Sequence, residues 1–254
     1  MHLDHREIDI WLPPSYDADP AARFPVLYMH DGQNLFDERE SDSGKAWRID
    51  EAITRLAAAG RIREAIVVGV WSSPAHRRQE YMPQKPVEAV KPEGGDGAPP
   101  SSRLTSDAYL AFLIGELKPA IDAQYRTLDG RGDTFVMGSS MGGLVSLYAA
   151  AEHPDVFGGV GAISTHWPAG DGVVIDWLAD NLPDPATHRL YFDHGTRTLD
   201  ADYGPYQSRM DAALRRAGYQ EGSNWRTYVF EGDAHHEDAW RHRLHAPLEF
   251  LLGK

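Results

Sequence analysis

Thr134-Phe135-Val136-Met137-Gly138-Ser139-Ser140-Met141-Gly142-Gly143-Leu144 runs from a short apolar segment, through a glycine and serine cluster, into small residues that continue to Ala151. These features read as strand, sharp turn and helix, with Ser140 at the apex of a Gly138-x-Ser140-x-Gly142 motif. Such an elbow needs small residues where the backbone packs closely on itself. It forces the serine into a strained conformation that exposes its hydroxyl, and the helix behind it offers unpaired N–H groups to an anion. The pentapeptide alone is a weak match in a chain with 24 glycines among 254 residues. A plain glycine-rich turn would carry the same letters, so its weight comes from the flanking strand and helix.

Outward from the elbow, further short apolar runs recur: Phe24 to Met29, Ala65 to Val70, Val160 to Ile163, Leu190 to Phe192 and Thr227 to Phe230. Near-continuous runs of this length are strands buried on both faces. Ile8, Ile10 and Leu12 alternate with polar neighbours before Pro13-Pro14, which suits a half-exposed strand. Between the runs lie helical stripes. One passes through Ile49, Ile53, Leu56 and Ala57, and a second through Tyr109, Phe112, Leu113, Leu117, Ala120 and Ile121. A third passes through Tyr206, Met210, Ala213 and Leu214 and closes at Gly218, and a last helix carries Trp240, Leu244, Leu248 and Leu251. Alternating buried strands and amphipathic helices predict an α/β fold: a mostly parallel central sheet with helices on both faces, and a site at the carboxyl ends of its strands. The whole chain reads as a single domain. Pro83 to Ser106, rich in proline, glycine and serine, reads as a long loop that could cover the site.

Composition narrows the function classes. A net charge of −13 with no lysine- or arginine-rich run argues against nucleic acid and anionic membranes as partners, since both need basic patches. The absence of cysteine removes disulfides, thiolate metal sites and a cysteine nucleophile. The opening MHLDHREIDIWLPP has no apolar core of signal-peptide length, and no stretch approaches a membrane span. The expectation is a soluble, cytoplasmic protein. His235, His236, His242 and His245 crowd together, but Trp240 stands where a His-Glu-x-x-His zinc motif would need its second histidine. No metal and no cofactor are expected. The Arg131-Gly132-Asp133 triplet reads as a turn before a strand and not as an adhesion signal.

A serine hydroxyl needs a base, and the base needs a third group to hold its tautomer. Behind an elbow of this kind the chain order is serine, acid, histidine, the last two on loops after later strands. The loop after Leu190 to Phe192 holds Asp193, Asp200 and Asp202, and the loop after Thr227 to Phe230 holds His235 and His236. Asp200 is the chosen acid, because it lies beyond the strand end with room for the loop to turn back. Asp193 still belongs to the strand, and Asp202 can open the next helix. His235 is the candidate base and His236 its rival. An oxyanion would be held by the N–H of Met141, next to the nucleophile, and that of Gln33, presented by the turn at Tyr28-Met29-His30-Asp31-Gly32-Gln33-Asn34. Trp71, Arg77 and Tyr81 after one strand, and His166 and Trp167 after another, are candidate substrate contacts suited to a bulky acyl, aryl or sugar group. Packing under loops would use the same aromatic residues.

These motifs together resemble the esterase branch of the α/β-hydrolases that includes esterase D, feruloyl esterases, enterochelin-type esterases and the mycolyltransferases. The resemblance spans nearly the whole chain. It is carried by Val26 to Asn34, Arg78-Gln79-Glu80-Tyr81-Met82-Pro83, Glu116 to Pro119 with Tyr125, Gly138 to Gly143, Gly195-Thr196 and His235 to Trp240. It implies a cofactor-independent serine esterase acting on a small-molecule ester, with Ser140 as nucleophile, His235 as base and an acid in the loop from Gly195 to Asp202. Two positions depart from the family pattern. Many relatives carry an acidic residue where this chain has Thr198, and asparagine is common where it has His236. No counterpart of the extra N-terminal domain of the larger enterochelin esterases is expected from these residues. Acyl transfer on the same scaffold, or ligand binding without turnover, are the alternative functions.

Overall fold

A computed structural model describes residues 5–89 and 103–254. Seven strands form one sheet: β1 (Ile8–Trp11), β2 (Val26–His30), β3 (Ile66–Val70), β4 (Thr134–Ser139), β5 (Gly159–Ile163), β6 (Arg189–Arg197) and β7 (Trp225–Ala234). Their spatial order is β1-β3-β2-β4-β5-β6-β7. Only β1, the strand with alternating polarity, runs antiparallel to its neighbour, β3. All other pairs are parallel, the arrangement that the continuous apolar runs require.

The period of two along each strand divides the interior. Val26, Tyr28, Val68, Val136, Val160 and Phe192 face one core, which is covered by the helices Ser106–Phe112, Met141–Glu152, Val173–Asn181 and Tyr203–Arg216. Leu27, Met29, Val67, Phe135, Met137 and Tyr191 face the other, under Ile49–Ala58 and the C-terminal helices. The elbow helix is buried from Met141 to Ala150, as expected of a helix apolar on every side.

Two helices differ from the pattern read in the sequence, and proline is the reason in both. The stripe from Tyr109 to Ile121 is helical throughout, but it passes through a π-helical turn at Leu113–Leu117 before continuing as Lys118–Gln124. Pro119 lacks the N–H that a regular turn would direct to residue 115. The C-terminal stripe is two helices, Glu237–Arg243 and His245–Leu252. Pro247 cannot donate to the carbonyl of Arg243, and its ring would clash there. Within the segment read as a loop from Pro83 to Ser106, Gln84–Ala89 is helical; residues 90–102 lie outside the described residues. No helix among the described residues is long and apolar enough to cross a membrane.

Candidate active site

Ser140 sits between the end of β4 and its helix with φ 57° and ψ −121°, a backbone region that non-glycine residues rarely occupy. Neighbouring elements hold it there. Its N–H donates to the carbonyl of Ile163 at the end of β5 (2.9 Å), and its carbonyl accepts from His166 N–H (3.1 Å). Met141 opens the helix, so its N–H has no acceptor within that helix.

His235 follows β7. Its Nδ1 lies 2.6 Å from Oδ1 of Asp200, which is carried on the turn Thr198–Asp202 after β6. Thr198, at φ 56°, accepts the His235 backbone N–H at 2.8 Å through its hydroxyl, so this departure from the family pattern ties the two loops together. The second oxygen of Asp200 accepts from the Gly195 N–H and the Ser164 hydroxyl, both at 2.6 Å. Burial opposes ionisation of Asp200. The hydrogen bonds from His235, Ser164 and Gly195 outweigh it, and the carboxyl is held below its ordinary value. Of the other candidates for these roles, Asp193 lies within β6 against Arg243, and Asp202 is exposed. His236 caps the helix Glu237–Arg243, its Nδ1 accepting from Ala239 N–H.

The histidines and the elbow meet through Tyr203. Its hydroxyl is 2.7 Å from Nδ1 of His166, and its ring packs edge-on against His235 at 5.7 Å. Trp240 packs on His235 in the same edge-on way, at 5.1 Å. Burial, reinforced by the nearby His235, lowers the pKa of His166.

At the end of β2, Asp31 takes a left-handed conformation (φ 58°) that turns the chain into Gly32–Asn34. A Cβ on Gly32 would lie 2.6 Å from the Gly69 carbonyl carbon and 2.8 Å from Trp71, so only glycine lets this loop approach β3. The Gln33 side chain is itself anchored, its amide N–H groups donating to Ser72 Oγ (2.8 Å) and Asp42 (2.9 Å). The loop abuts the elbow: a Cβ on Gly142 would stand 3.6 Å from the Asp31 carboxylate.

The remaining predicted residues divide by exposure. Arg77 makes a two-point ion pair with Asp31, at 2.6 and 2.7 Å. Burial disfavours its charge but Asp31 more than compensates, raising its pKa. Tyr81 (0% exposed) accepts the Asp31 N–H through its hydroxyl. Trp167 (1% exposed) stacks on Phe192 and donates to Gln207. Both rings are interior, because the loops bearing them fold back under the rim. Trp71 and His166 stay partly exposed, and a cavity of about 600 Å³ opens beside Gln33 with Trp71, Asp42 and Ser72 in its wall. A larger one, about 830 Å³, lies at the outer edge of β7 around Tyr228 and Phe250, away from Ser140. Sequence reading did not single out Ser164, Arg243 or the Trp240 indole N–H, which act only through space. No group of three or more acidic or histidine side chains among the described residues could hold a metal ion.

A mostly parallel sheet with a strained serine elbow, and an acid–histidine pair on two loops that follow later strands, defines an α/β-hydrolase. Residues 4–251 match the family described as "Putative esterase", and the chain belongs to it; it is a carboxylic ester hydrolase. It is 24% identical to the uncharacterized protein YbbA of Bacillus subtilis, over 98% of this chain and 94% of that one. It is 23% identical to an endo-1,4-beta-xylanase/feruloyl esterase of Xylanibacter ruminicola, over 96% of this chain and 29% of that protein. Among solved structures, an IroE-like serine hydrolase from Shewanella oneidensis superposes with a TM-score of 0.72 at 21% identity, covering 96% of this chain and 74% of that one. A ferulic acid esterase superposes at 0.70 and 20%, covering 97% and 92%.

Proposed function

We propose that the chain hydrolyses carboxylic esters through an acyl-enzyme built by Ser140, His235 and Asp200. The observation that carries this reading is the 2.6 Å hydrogen bond between His235 Nδ1 and Asp200 Oδ1, in a chain whose Ser140 backbone is in the elbow conformation. That bond commits Nδ1 to the carboxylate and leaves Nε2 to act as acceptor. As Ser140 Oγ attacks the ester carbonyl, His235 Nε2 takes its proton. The tetrahedral oxyanion is held by the N–H groups of Met141 and Gln33. The imidazolium then protonates the departing alcohol as the C–O bond breaks. Water, deprotonated by the same histidine, attacks the acyl-enzyme and releases the acid.

For the substrate we propose an ester with a bulky acyl, aryl or sugar group, received by Trp71 and the cavity beside Gln33 on one side and His166 on the other. The rim position and partial exposure of these rings support it. The names of two similar proteins, which include ferulic acid or feruloyl esterase activity, favour aryl acyl groups. Arg77 enters this reading through Asp31, holding the loop that presents Gln33.

The test is labelling with a fluorophosphonate followed by peptide mapping. The label is expected on Ser140 alone, and Ser140→Ala should lose p-nitrophenyl acetate hydrolysis by a factor of about 10³ or more while keeping its fold. An unlabelled, folded wild type, or full activity in Ser140→Ala, would overturn the assignment.

A further inference from the structure

Ser164 follows the last residue of β5 and is fully buried, with φ 40°. The carbonyl of the preceding residue, Ile163, receives the Ser140 N–H, and the Ser164 N–H donates to the carbonyl of Asp193 (2.9 Å). Its backbone is thus fixed between the elbow and β6. Three polar groups converge on its hydroxyl: Trp240 Nε1 at 3.0 Å, Arg243 Nη2 at 2.7 Å and Asp200 Oδ2 at 2.6 Å.

Indole and guanidinium nitrogens can only donate, whereas a serine hydroxyl has one proton and two lone pairs. Trp240 and Arg243 therefore occupy both lone pairs, and the Ser164 proton has one place to go, Asp200 Oδ2. We propose that Ser164 is a positioning residue, its hydroxyl turned toward Asp200 by Trp240 and Arg243 so that the carboxylate presents its other oxygen to His235. The proposal rests on the triad assigned above.

Arg243 is suited to this duty because it is itself immobilised. It donates to Asp193 Oδ1 (2.9 Å) and to Asp233 Oδ2 (3.1 Å), lies 3.8 Å from Asp200 Oδ2, and has its guanidinium over the ring of Phe230. The cation thus links β6, which leads into the turn bearing the acid, to β7, which leads to the base. The charged and titratable groups facing the Asp200–His235 pair from the elements around it are Arg243, Asp193, Asp233, Tyr203, Asp202 and His166. Ser164 supplies a neutral donor among them. Removing it takes one of the four hydrogen bonds and ion contacts from Asp200 without altering any charge.

The test uses Ser164→Ala, Trp240→Phe and their combination, with p-nitrophenyl acetate as substrate. Loss of a hydrogen bond to a carboxylate in the dry interior should lower kcat about 10- to 100-fold with KM little changed. A carboxylate with one donor fewer holds the imidazolium more strongly, so the acid limb of the kcat/KM profile should move to higher pH. Trp240→Phe keeps a ring against His235 and frees one lone pair of Ser164. It should lower kcat in the wild-type background and have no further effect once Ser164 is alanine. A role limited to packing would move neither the acid limb nor the coupling. Wild-type kinetics in Ser164→Ala, an unmoved limb, or additive effects of the two substitutions would overturn the proposal. Fluorophosphonate labelling of Ser140 in every variant separates this outcome from failure of the triad itself.

Discussion

His30 closes β2 with its ring in the interior, Nδ1 sharing a 2.7 Å hydrogen bond with the Tyr109 hydroxyl and Nε2 without a partner among the described residues. Burial pulls its pKa down from 6.5 to about 4; Asp31 opposes this, while Arg77 and Arg6 add to it. Between these two values the unfolded chain takes up a proton that the folded chain refuses. Stability is therefore fully present above pH 6.5 and declines as pH falls toward 4, by on the order of 3 kcal/mol from this residue. His153 and His166, also lowered by burial, act in the same direction. Asp200 acts lower on the scale: its depressed pKa gives stability that is present above 3.8 and lost as pH falls through the folded value. Urea midpoints measured from pH 7 to 4.5 should fall, and His30→Gln should flatten part of that fall. Equal slopes in the two proteins would show that the ring is not held neutral by the fold. Residues such as Ser140, Asp200 and His235 could be chosen from the sequence because chain order and flanking strands constrain them. Ser164 and Arg243 could not, since what matters about them is a meeting of side chains 79 positions apart.

The strand β6 runs past the end of β5 to Arg197, and there its pairing with β7 shifts between Gly195 and Arg197. Gly195 makes that shift compatible with the site. A Cβ there would collide with the Asp233 carbonyl oxygen and lie 3.1 Å from Asp200 Oδ2, to which Gly195 N–H already donates. Gly195→Ala should therefore cost about 1–3 kcal/mol of unfolding free energy and lower kcat at least tenfold, read by thermal denaturation and burst kinetics; an unchanged melting point and burst would refute the clash. Elements were readable where periodicity was strong, as in the five buried strands β2 to β6 and the helices Ile49–Ala58 and Tyr203–Arg216. The run at Thr227 to Phe230 also marked a strand, but β7 lies at the sheet edge with Tyr228 and Val229 exposed and is not buried on both faces. Val173–Asn181 escaped because the left-handed residues Gly170, Asp171 and Gly172 immediately before it give its start the look of a loop. Trp167 appeared to be a rim residue for a similar reason: its place at a strand end was evident, but the inward turn that buries it was not.

Across the molecule, protection should follow the sheet order. β4 has a parallel partner on each side, β2 and β5, whereas β7 is an edge with Tyr228 and Val229 exposed. Hydrogen exchange should leave the amides of Thr134–Ser139 unexchanged longest and release the outward amides of Trp225–Ala234 early. Equal protection of the two strands would mean that something covers the β7 edge in solution. The overall architecture was readable because the burial of the central strands β2 to β6 follows from their letters, while sheet order, and with it the exposed edge position of β7, depends on which helix crosses which face. The tether of Ser140 N–H to Ile163 and of its carbonyl to His166 has a consequence for how such a protein diversifies. The nucleophile takes its coordinates from two adjacent strands and not from the rim segments around Trp71 or beyond Trp167. A lineage can therefore exchange those rim segments, and with them the esters it admits, while the reacting oxygen stays where the sheet put it.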